Sequence, residues 1–560
     1  MTYNHSRYRR TAAVDLPDRT WPNRQIEQAP IWCSVDLRDG NQALAEPMGH
    51  EKKRQMLEML AKVGFREIEL GFPSASQTEF DFIRWVAQSH ALPDSVTPQV
   101  ITQARKSLIE RTFESLVGFR RAIVHLYNST SEVQRRVVFG KSKREIVALA
   151  VQGTAWVKEQ ATRFPELEVV YQYSPESFTG TELDYALDIC QAVIEAWDPS
   201  AERKMIINLP STVETTTPNV FADRIEWFLR NLERRDHVIL SVHAHNDRGT
   251  GVATAELSQL AGADRIEGTV FGNGERSGNV DIVTLAMNLY SQGIDPKLDL
   301  SNLPEVIRVV EQCTQMHVHP RHPWAGELVY TAFSGSHQDA IHKGMKAQSE
   351  EIDAIWQVPY LPINPLDIGR KYQEVIRINS QSGKGGMAHV LERDYGYRIS
   401  KSMAADFSSV VQNVTDQTGE ELGPPAIVEL FRNRYAASDN EQKVRAVRVS
   451  EGQTRQQREV EAQVKLDGDW KTIRGRGGGV IEAFANGLRD IVPGTWDIVH
   501  YSEHARSSGA DSDAVAYVAV AASPEHHAWF GMGEDRDVMQ ASFLAMLAAL
   551  ERMRALRPEP

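Results

Sequence analysis

The chain has 560 residues, 41% of them hydrophobic and 24% charged, with a formal net charge of −13; that length calls for two or three folded units rather than one core. The acidic balance and the lack of a basic tract argue against nucleic acid as a partner, and no apolar run approaches a membrane span. The amino terminus has arginines but no apolar segment behind them, and Cys33, Cys190 and Cys313 form no CxxC pair, so the expectation is a cytoplasmic protein without a secretory signal or disulfide framework.

After an N-terminal arm (1–30), short runs rich in Val and Ile alternate with helical patterns up to about residue 300. Strands are predicted at 31–36, 67–71, 99–102, 122–127, 168–173, 204–209, 238–245 and 265–271. Between the first two, Met56, Leu57, Leu60 and Val63 recur at helical spacing within 51–63. Ser76-Gln77-Thr78-Glu79 and Thr181-Glu182 read as helix starts, and a last helix is predicted over 280–293. Eight strand–helix pairs within 31–300 predict an α/β fold, a (β/α)₈ TIM barrel. The rival, an open doubly wound sheet, more often carries a glycine-rich turn after its first strand, and none is there.

The rhythm changes beyond the barrel. Residues 301–430 read as a helical connector interrupted by prolines (Pro320, Pro323, Pro359, Pro362, Pro365). Residues 435–560 read as an α+β domain. Strands are predicted at 445–450 and 459–466, followed by a helix opened by the glycine-rich turn 475–479. A second pair of strands at 496–501 and 514–521 precedes a helix over 538–553. Two strand–strand–helix units suggest a ligand-binding module rather than a catalytic one.

Active sites of such barrels lie where the strands end. The first strand ends in Asp36-Leu37-Arg38-Asp39-Gly40-Asn41-Gln42, and the seventh in His243-Ala244-His245-Asn246-Asp247. The fifth and sixth end in Ser174-Pro175-Glu176 and Pro210-Ser211-Thr212-Val213-Glu214, and the eighth is followed by GNGERSGN, residues 272–279. Residues i and i+2 of a strand share a face, so His243 and His245 can grip one divalent cation, with Asp36 or Asp39 supplying a carboxylate. His317-Val318-His319-Pro320 repeats the spacing in the connector, has no obvious carboxylate partner, and reads as structural. Ser382-Gly383-Lys384-Gly385-Gly386 looks like a phosphate cradle but lacks the rest of a P-loop, and is read as a conformational loop.

The stretches DLPDRTWP, APIWCSVDLRDGNQAL, GFPSASQTEFDF, HLYNSTS, YSPESFTGTE, HAHNDRGTGVA, GNGERSGN, TAFSGSHQDA, WQVPYLPINP and NSQSGKGG together resemble the longer form of the 2-isopropylmalate synthases, within the group that includes homocitrate and citramalate synthases. DLRDG with HAHND alone would mark only the wider group. The resemblance implies a Claisen-type condensation of acetyl-CoA with 2-oxoisovalerate, the committed step toward leucine. It assigns a divalent ion (Mg²⁺, Mn²⁺ or Zn²⁺) to Asp39, His243 and His245 with Asn279 close by, and places Arg38 beside it to stabilise charge on oxygen. It gives His125, Ser174 and Thr212 to the oxo-acid carboxylate, and Tyr127 with Ile101 to the alkyl pocket. Glu176, His337 and Tyr360 become the proton-transfer set. Because His337 and Tyr360 lie beyond the barrel, the resemblance favours an intertwined homodimer in which a partner's connector reaches over.

Residues 435–560 resemble that family's leucine-binding regulatory domain through Asp511-Ser512-Asp513-Ala514-Val515-Ala516-Tyr517 and Trp529-Phe530-Gly531-Met532-Gly533, which makes L-leucine the expected inhibitor. One departure stands out: Gly477-Gly478-Gly479-Val480 occupies the place of a Gly-Asn-Gly-Pro type turn. Three rivals remain: a paralogue taking another 2-oxo acid, a lyase running bond cleavage, and a metal-binding sensor without catalysis. The lyases resembling this barrel end soon after it, whereas this chain continues for 260 residues beyond residue 300.

Overall fold

The computed structural model describes residues 7, 11–349, 351, 354–372, 384–418, 422–436, 443–452, 456–466, 468–506, 512–523 and 527–555. They divide into two compact units, 1–329 with 363–371, and 330–362 with 372–560. Ser382, Gly383 and Asp511, singled out above, lie outside the described residues.

The first unit is built on eight parallel strands, β1 (Ile31–Ser34), β2 (Glu67–Gly71), β3 (Thr97–Gln103), β4 (Arg121–Ser129), β5 (Glu168–Glu176), β6 (Met205–Ser211), β7 (Val238–Ala244) and β8 (Arg265–Gly268). They close in sequence order, β8 pairing back to β1 from Ile31↔Arg265 to Ser34↔Gly268. The helices between them are α1 (His50–Val63), α2 (Gln77–Ser89), α3 (Lys106–Ser115), α4 (Lys143–Arg163), α5 (Leu183–Trp197), α6 (Pro218–Asn231), α7 (Gly251–Leu260) and α8 (Ile282–Tyr290).

Helix starts follow local chemistry. The Ser76 hydroxyl accepts from Glu79 N–H at the head of α2, as its spacing predicts. Thr181 is a correction: it makes no cap for α5, because its hydroxyl is committed to the Ser177 carbonyl and Thr130. The first and last strands are shorter than predicted, since residues 36–40 and 270–272 wind into helical turns. The first of those turns carries Arg38 and Asp39. α9 (Leu303–Thr314) follows the barrel within the same unit.

The second unit contains α10 (Gly335–Ala347), α11 (Lys384–Tyr395), α12 (Lys401–Thr418) and α13 (Pro424–Tyr435). Pro424 and Pro425 open α13, where missing N–H groups cost nothing. Then come β9 (Val444–Glu451), β10 (Arg458–Leu466), β11 (Asp469–Gly477), α14 (Val480–Arg489), β12 (Asp497–Ala505), β13 (Ala514–Ala521), β14 (Trp529–Asp535) and α15 (Val538–Ala555). The repeated unit therefore has three antiparallel strands and a helix, not two strands. β11 and β14 escape a hydrophobic reading because both are glycine-bearing: a Cβ on Gly475 or Gly533 would lie 2.0 Å from the carbonyl oxygen of Ala483 or Ala541, on the helix packed against it.

β13 is an unbroken apolar run because both faces are buried. Ala516, Val518 and Val520 enter the core shared with α14 and α15, where Phe484 and Phe543 stack at 3.7 Å, while Val515, Tyr517 and Ala519 enter a core with α11–α13. Among the described residues no helix is long and apolar enough to cross a membrane.

Candidate active site

All eight strands run parallel, so their C-terminal ends share one rim, and a cavity of about 260 Å³ opens there. Its lining includes Arg38, Asp39, His125, Tyr127, Ser174, Glu176, Thr212, His243, His245 and Ile101, from six different strand ends. Convergence from separate strands is the physical sign of a site rather than of packing.

The turn after β1 fixes the first of these. The N–H groups of Arg38, Asp39 and Gly40 all donate to the Val35 carbonyl, a wide turn that points consecutive polar side chains into the cavity. Asp36, the alternative carboxylate ligand in the sequence, is instead structural: it accepts from Ser34 Oγ at 2.8 Å and from Val270 N–H. Burial outweighs those bonds and pushes its carboxyl up to about 7.

Asp39, His243 and His245 bring a carboxylate oxygen and two ring nitrogens within 4.8 Å of one another, the one such cluster of three or more groups among the described residues. His243 Nε2 lies 3.2 Å and His245 Nε2 3.4 Å from Asp39 Oδ2. His245 Nε2 and Asn279 Oδ1 are buried without a hydrogen-bond partner. Buried lone pairs left over beside a carboxylate fit a divalent cation and fit little else. Asn279 pairs across to His245 in a short bridge, and the loop glycines bring it there: a Cβ on Gly274 would meet the Asn279 side chain at 2.1 Å. By contrast His317 is exposed and His319 Nδ1 accepts from Arg321 N–H.

The same groups form a tightly paired charged cluster. Burial works against ionising Asp39, but Arg38 Nη1 at 2.7 Å holds its carboxyl well below the usual range. Burial also opposes a charged His243, yet Asp39 and Glu267 raise its pKa to about 9. The buried carboxylates of Asp39, Glu69 and Glu267 share this floor with the buried Arg265, the largely buried Arg38 and His243, so each charge has an opposite partner.

On the opposite side, His125 donates from Nδ1 to Glu69 at 2.9 Å and faces Ser174 Oγ through Nε2 at 2.7 Å. Thr212 accepts from Ser177 N–H at 2.8 Å, leaving its hydroxyl proton to donate. Ser129 donates to Glu176, and Gln103 donates to the Tyr127 hydroxyl at 2.9 Å, fixing that ring as a wall. His337 and Tyr360 belong to the second unit. Their rings stack at 4.0 Å, both side chains are exposed, and Tyr360 has left-handed backbone (φ 63°).

Sequence reasoning missed Asn208 in the lining and assigned no role to Gln42, Phe72, Pro210, Glu275 or Arg276. It also missed the buried layer of Glu69, Gln99, Gln172, Arg265 and Glu267 beneath. A signal existed: Glu67 with Glu69, and Arg265 with Glu267, stand two apart in strands otherwise read as apolar.

The HMGL-like family model matches residues 29–310. The alpha-isopropylmalate synthase post-catalytic domain-like model matches 327–392, and the LeuA allosteric (dimerisation) domain model matches 421–554. A 2-isopropylmalate synthase of Rhodospirillum rubrum is 52% identical over 98% of this chain and 98% of its own. One of Parafrankia sp. is 52% identical over 98% and 97%, and one of Clostridium acetobutylicum is 49% identical over 99% and 100%.

Proposed function

We propose a function from one premise: this chain belongs to the 2-isopropylmalate synthase family. It joins the methyl carbon of acetyl-CoA to the carbonyl carbon of 2-oxoisovalerate. Water then cleaves the thioester, giving 2-isopropylmalate and free CoA, the first committed step of leucine biosynthesis. The observation that carries this reading is the convergence of Arg38, Asp39, His125, Ser174, Glu176, Thr212, His243 and His245 on one cavity, in a chain about half identical to such synthases over nearly its whole length.

Asp39, His243 and His245, with Asn279 beside them, hold a divalent ion; a mixed imidazole–carboxylate set suits Zn²⁺ or Mn²⁺, and a remainder of oxygen ligands admits Mg²⁺. When bound, such an ion acts as a Lewis acid on the oxo acid's carbonyl. The protein does the rest. Thr212, His125 and Ser174 fasten the carboxylate of the oxo acid, and Ile101, Tyr127, Phe72 and Pro210 offer the apolar wall for its isopropyl group. The acetyl methyl is a very weak acid, so a positioned base must take its proton as the carbon–carbon bond forms. Glu176, His337 and Tyr360 form that proton-transfer set, and the Arg38 guanidinium stabilises the negative charge that reaches oxygen.

The chain works as a homodimer in which the partner's connector brings its His337–Tyr360 pair to the barrel mouth. The exposure of that stacked pair, on strained backbone at Tyr360, supports a role outside its own core. Residues 1–30 form an arm, 31–300 the catalytic barrel, 301–430 the connector and 435–560 a leucine-responsive regulatory domain, in a cytoplasmic enzyme.

Thiol release from acetyl-CoA tests the reading against a panel of 2-oxo acids, with and without chelator. Release is expected with 2-oxoisovalerate and is abolished by chelation. A clearly higher kcat/KM with pyruvate or 2-oxoglutarate would move the chain to a citramalate or homocitrate reading, the alternative within the same chemistry.

A further inference from the structure

The hydrogen bonds on the cavity floor close into a ring. Arg38 bridges Asp39 (2.7 Å) and Glu69 (2.5 Å), and Glu69 takes His125 Nδ1 at 2.9 Å. His125 Nε2 meets Ser174 at 2.7 Å, and Asn208 Nδ2 donates to both Ser174 (3.0 Å) and Glu267 Oε2 (3.2 Å). Glu267 Oε2 holds His243 Nδ1 at 2.9 Å, and His243 Nε2 returns to Asp39 at 3.2 Å. Gln99 braces the ring across its middle, donating to Glu69 at 2.9 Å and to Glu267 at 3.3 Å.

Glu267 is the most heavily committed member. It is fully buried, and its other oxygen accepts from Arg265 Nη1 and Gln172 Nε2, each at 2.7 Å. Arg265 is itself pinned by Glu67, Ser241 and Gln99. The carboxylate thus has no freedom to rotate away, and the only proton His243 can offer it is the one on Nδ1.

We propose that Glu267 is a positioning residue that holds His243 by its Nδ1–H and so leaves Nε2, beside Asp39, as the nitrogen that would meet a cation. The inference rests on the metal-site reading above. It assigns a task to a carboxylate that touches neither the cavity nor its contents. A carboxylate behind a ligating imidazole both orients the ring and makes it a better donor, and losing it typically weakens metal binding 10- to 100-fold. Through Asn208 the same carboxylate also steadies Ser174, tying the cation side of the cavity to the side proposed for the oxo acid.

The test is calorimetric titration of Mn²⁺ into chelator-stripped, full-length protein. Glu267→Gln is expected to weaken binding about 10- to 100-fold, whereas Glu67→Gln, which unpairs Arg265 on its other side without touching His243, keeps the wild-type affinity. Wild-type affinity in Glu267→Gln, or an equal loss in Glu67→Gln, overturns the proposal. If Glu267→Gln does not fold, Glu267→Asp decides: it keeps the charge but withdraws it from His243 by one methylene, and unchanged affinity overturns the assignment. A variant-free measurement stands behind both, because ¹⁵N-histidine spectra of the Zn²⁺-loaded protein must show His243 protonated at Nδ1. A proton on Nε2 overturns the proposal. Failure of the underlying reading looks different, with His243→Ala binding Mn²⁺ as tightly as the wild type.

Discussion

The barrel floor and the two C-terminal three-strand-and-helix units are equally closed to water, yet one is filled with charge and the other with hydrocarbon. Under the rim, Asp39, Glu69, Glu267 and Arg265 are buried beside the largely buried Arg38, each neutralised by the next. Around β13 the interior is valine, alanine and stacked phenylalanine, with glycines on β11 and β14 letting helices approach to backbone contact. Buried charge is costly unless every partner is present, so the barrel floor accepts a burden that the C-terminal core avoids. The difference teaches where chemistry is carried: an interior built only for stability has no use for five ionic groups at its centre.

Breaking the charged interior at its top gives the largest expected effect. Asp39→Ala and His243→Ala abolish turnover and metal retention, while His319→Ala, at the same His-X-His spacing on the exposed segment, changes neither. Metal analysis of the three purified variants checks it, and equal metal content in all would refute the ligand set. Next come the proton-transfer groups. Glu176→Gln and His337→Ala lower kcat by about 10²–10⁴ with little change in KM for the oxo acid, the usual worth of a positioned acid or base. A structural role would show instead as lost folded protein with normal turnover in what remains.

The charged interior also makes stability depend on pH. Asp36 keeps its proton in the folded chain up to about pH 7 but releases it near 3.8 when unfolded. Its contribution is therefore full below pH 3.8 and is lost as pH rises to 7, a change on the order of 4 kcal/mol. Asp36→Asn, which keeps an acceptor for Val270 N–H, gains stability over the wild type steadily from about pH 4 to pH 7 and levels off above. Denaturant melts of the metal-free chain measure it, and a pH-independent difference would contradict the buried-acid reading. In the apolar interior the matching perturbation is steric. Gly533→Ala forces α15 off β14 and costs about 1–3 kcal/mol, whereas Gly479→Ala, with nothing near its Cβ position, stays within about 0.5 kcal/mol.

Legibility in the sequence followed the same divide. Strands such as β4 and β6 announced themselves because a barrel strand covered by helices is apolar over most of its length. The rim residues were legible because they cluster at strand ends: Arg38-Asp39 and His243-Ala244-His245 needed only the fold to be brought together. Glu267 and Gln99 were not, since a charge inside a strand has meaning only once its partners from other strands are known. β11 and β14 were missed because the residues that meet α14 and α15 include the glycines Gly475 and Gly533, whose contribution is the helix backbone they admit rather than any side chain. Asp36 and Asp39, three apart in one motif, look alike in sequence; the wide turn sends one to Val270 and the other to the cation cluster.

The smallest expected effect concerns the departure at the turn before α14. Gly479 caps that helix without a side-chain bond, and Gly478 N–H donates to Glu482 Oε2 at 2.8 Å. Beside it lies an open cavity of about 540 Å³, with an apolar side formed by Val480, Ile481, Ala485, Ile498 and Tyr501 and a charged side formed by Glu482, Arg489 and Asp497. An amino-acid carboxylate would bind best at this helix start, where N–H groups and the helix dipole favour negative charge. The chain's own Glu482 already occupies one of those N–H groups, and the turn lacks both an asparagine side chain and a proline to pre-set it. L-Leucine is therefore expected to bind weakly and to inhibit incompletely, with a coupling between the regulatory site and the barrel of about 1–3 kcal/mol. Glu482→Ala removes the internal competitor, so leucine binding to the full-length protein should tighten several-fold by calorimetry while kcat without leucine is unchanged. Affinity that falls on removing Glu482 would mean that this carboxylate holds the leucine ammonium instead. No binding by either form at millimolar leucine would assign the domain another ligand, or dimerisation alone.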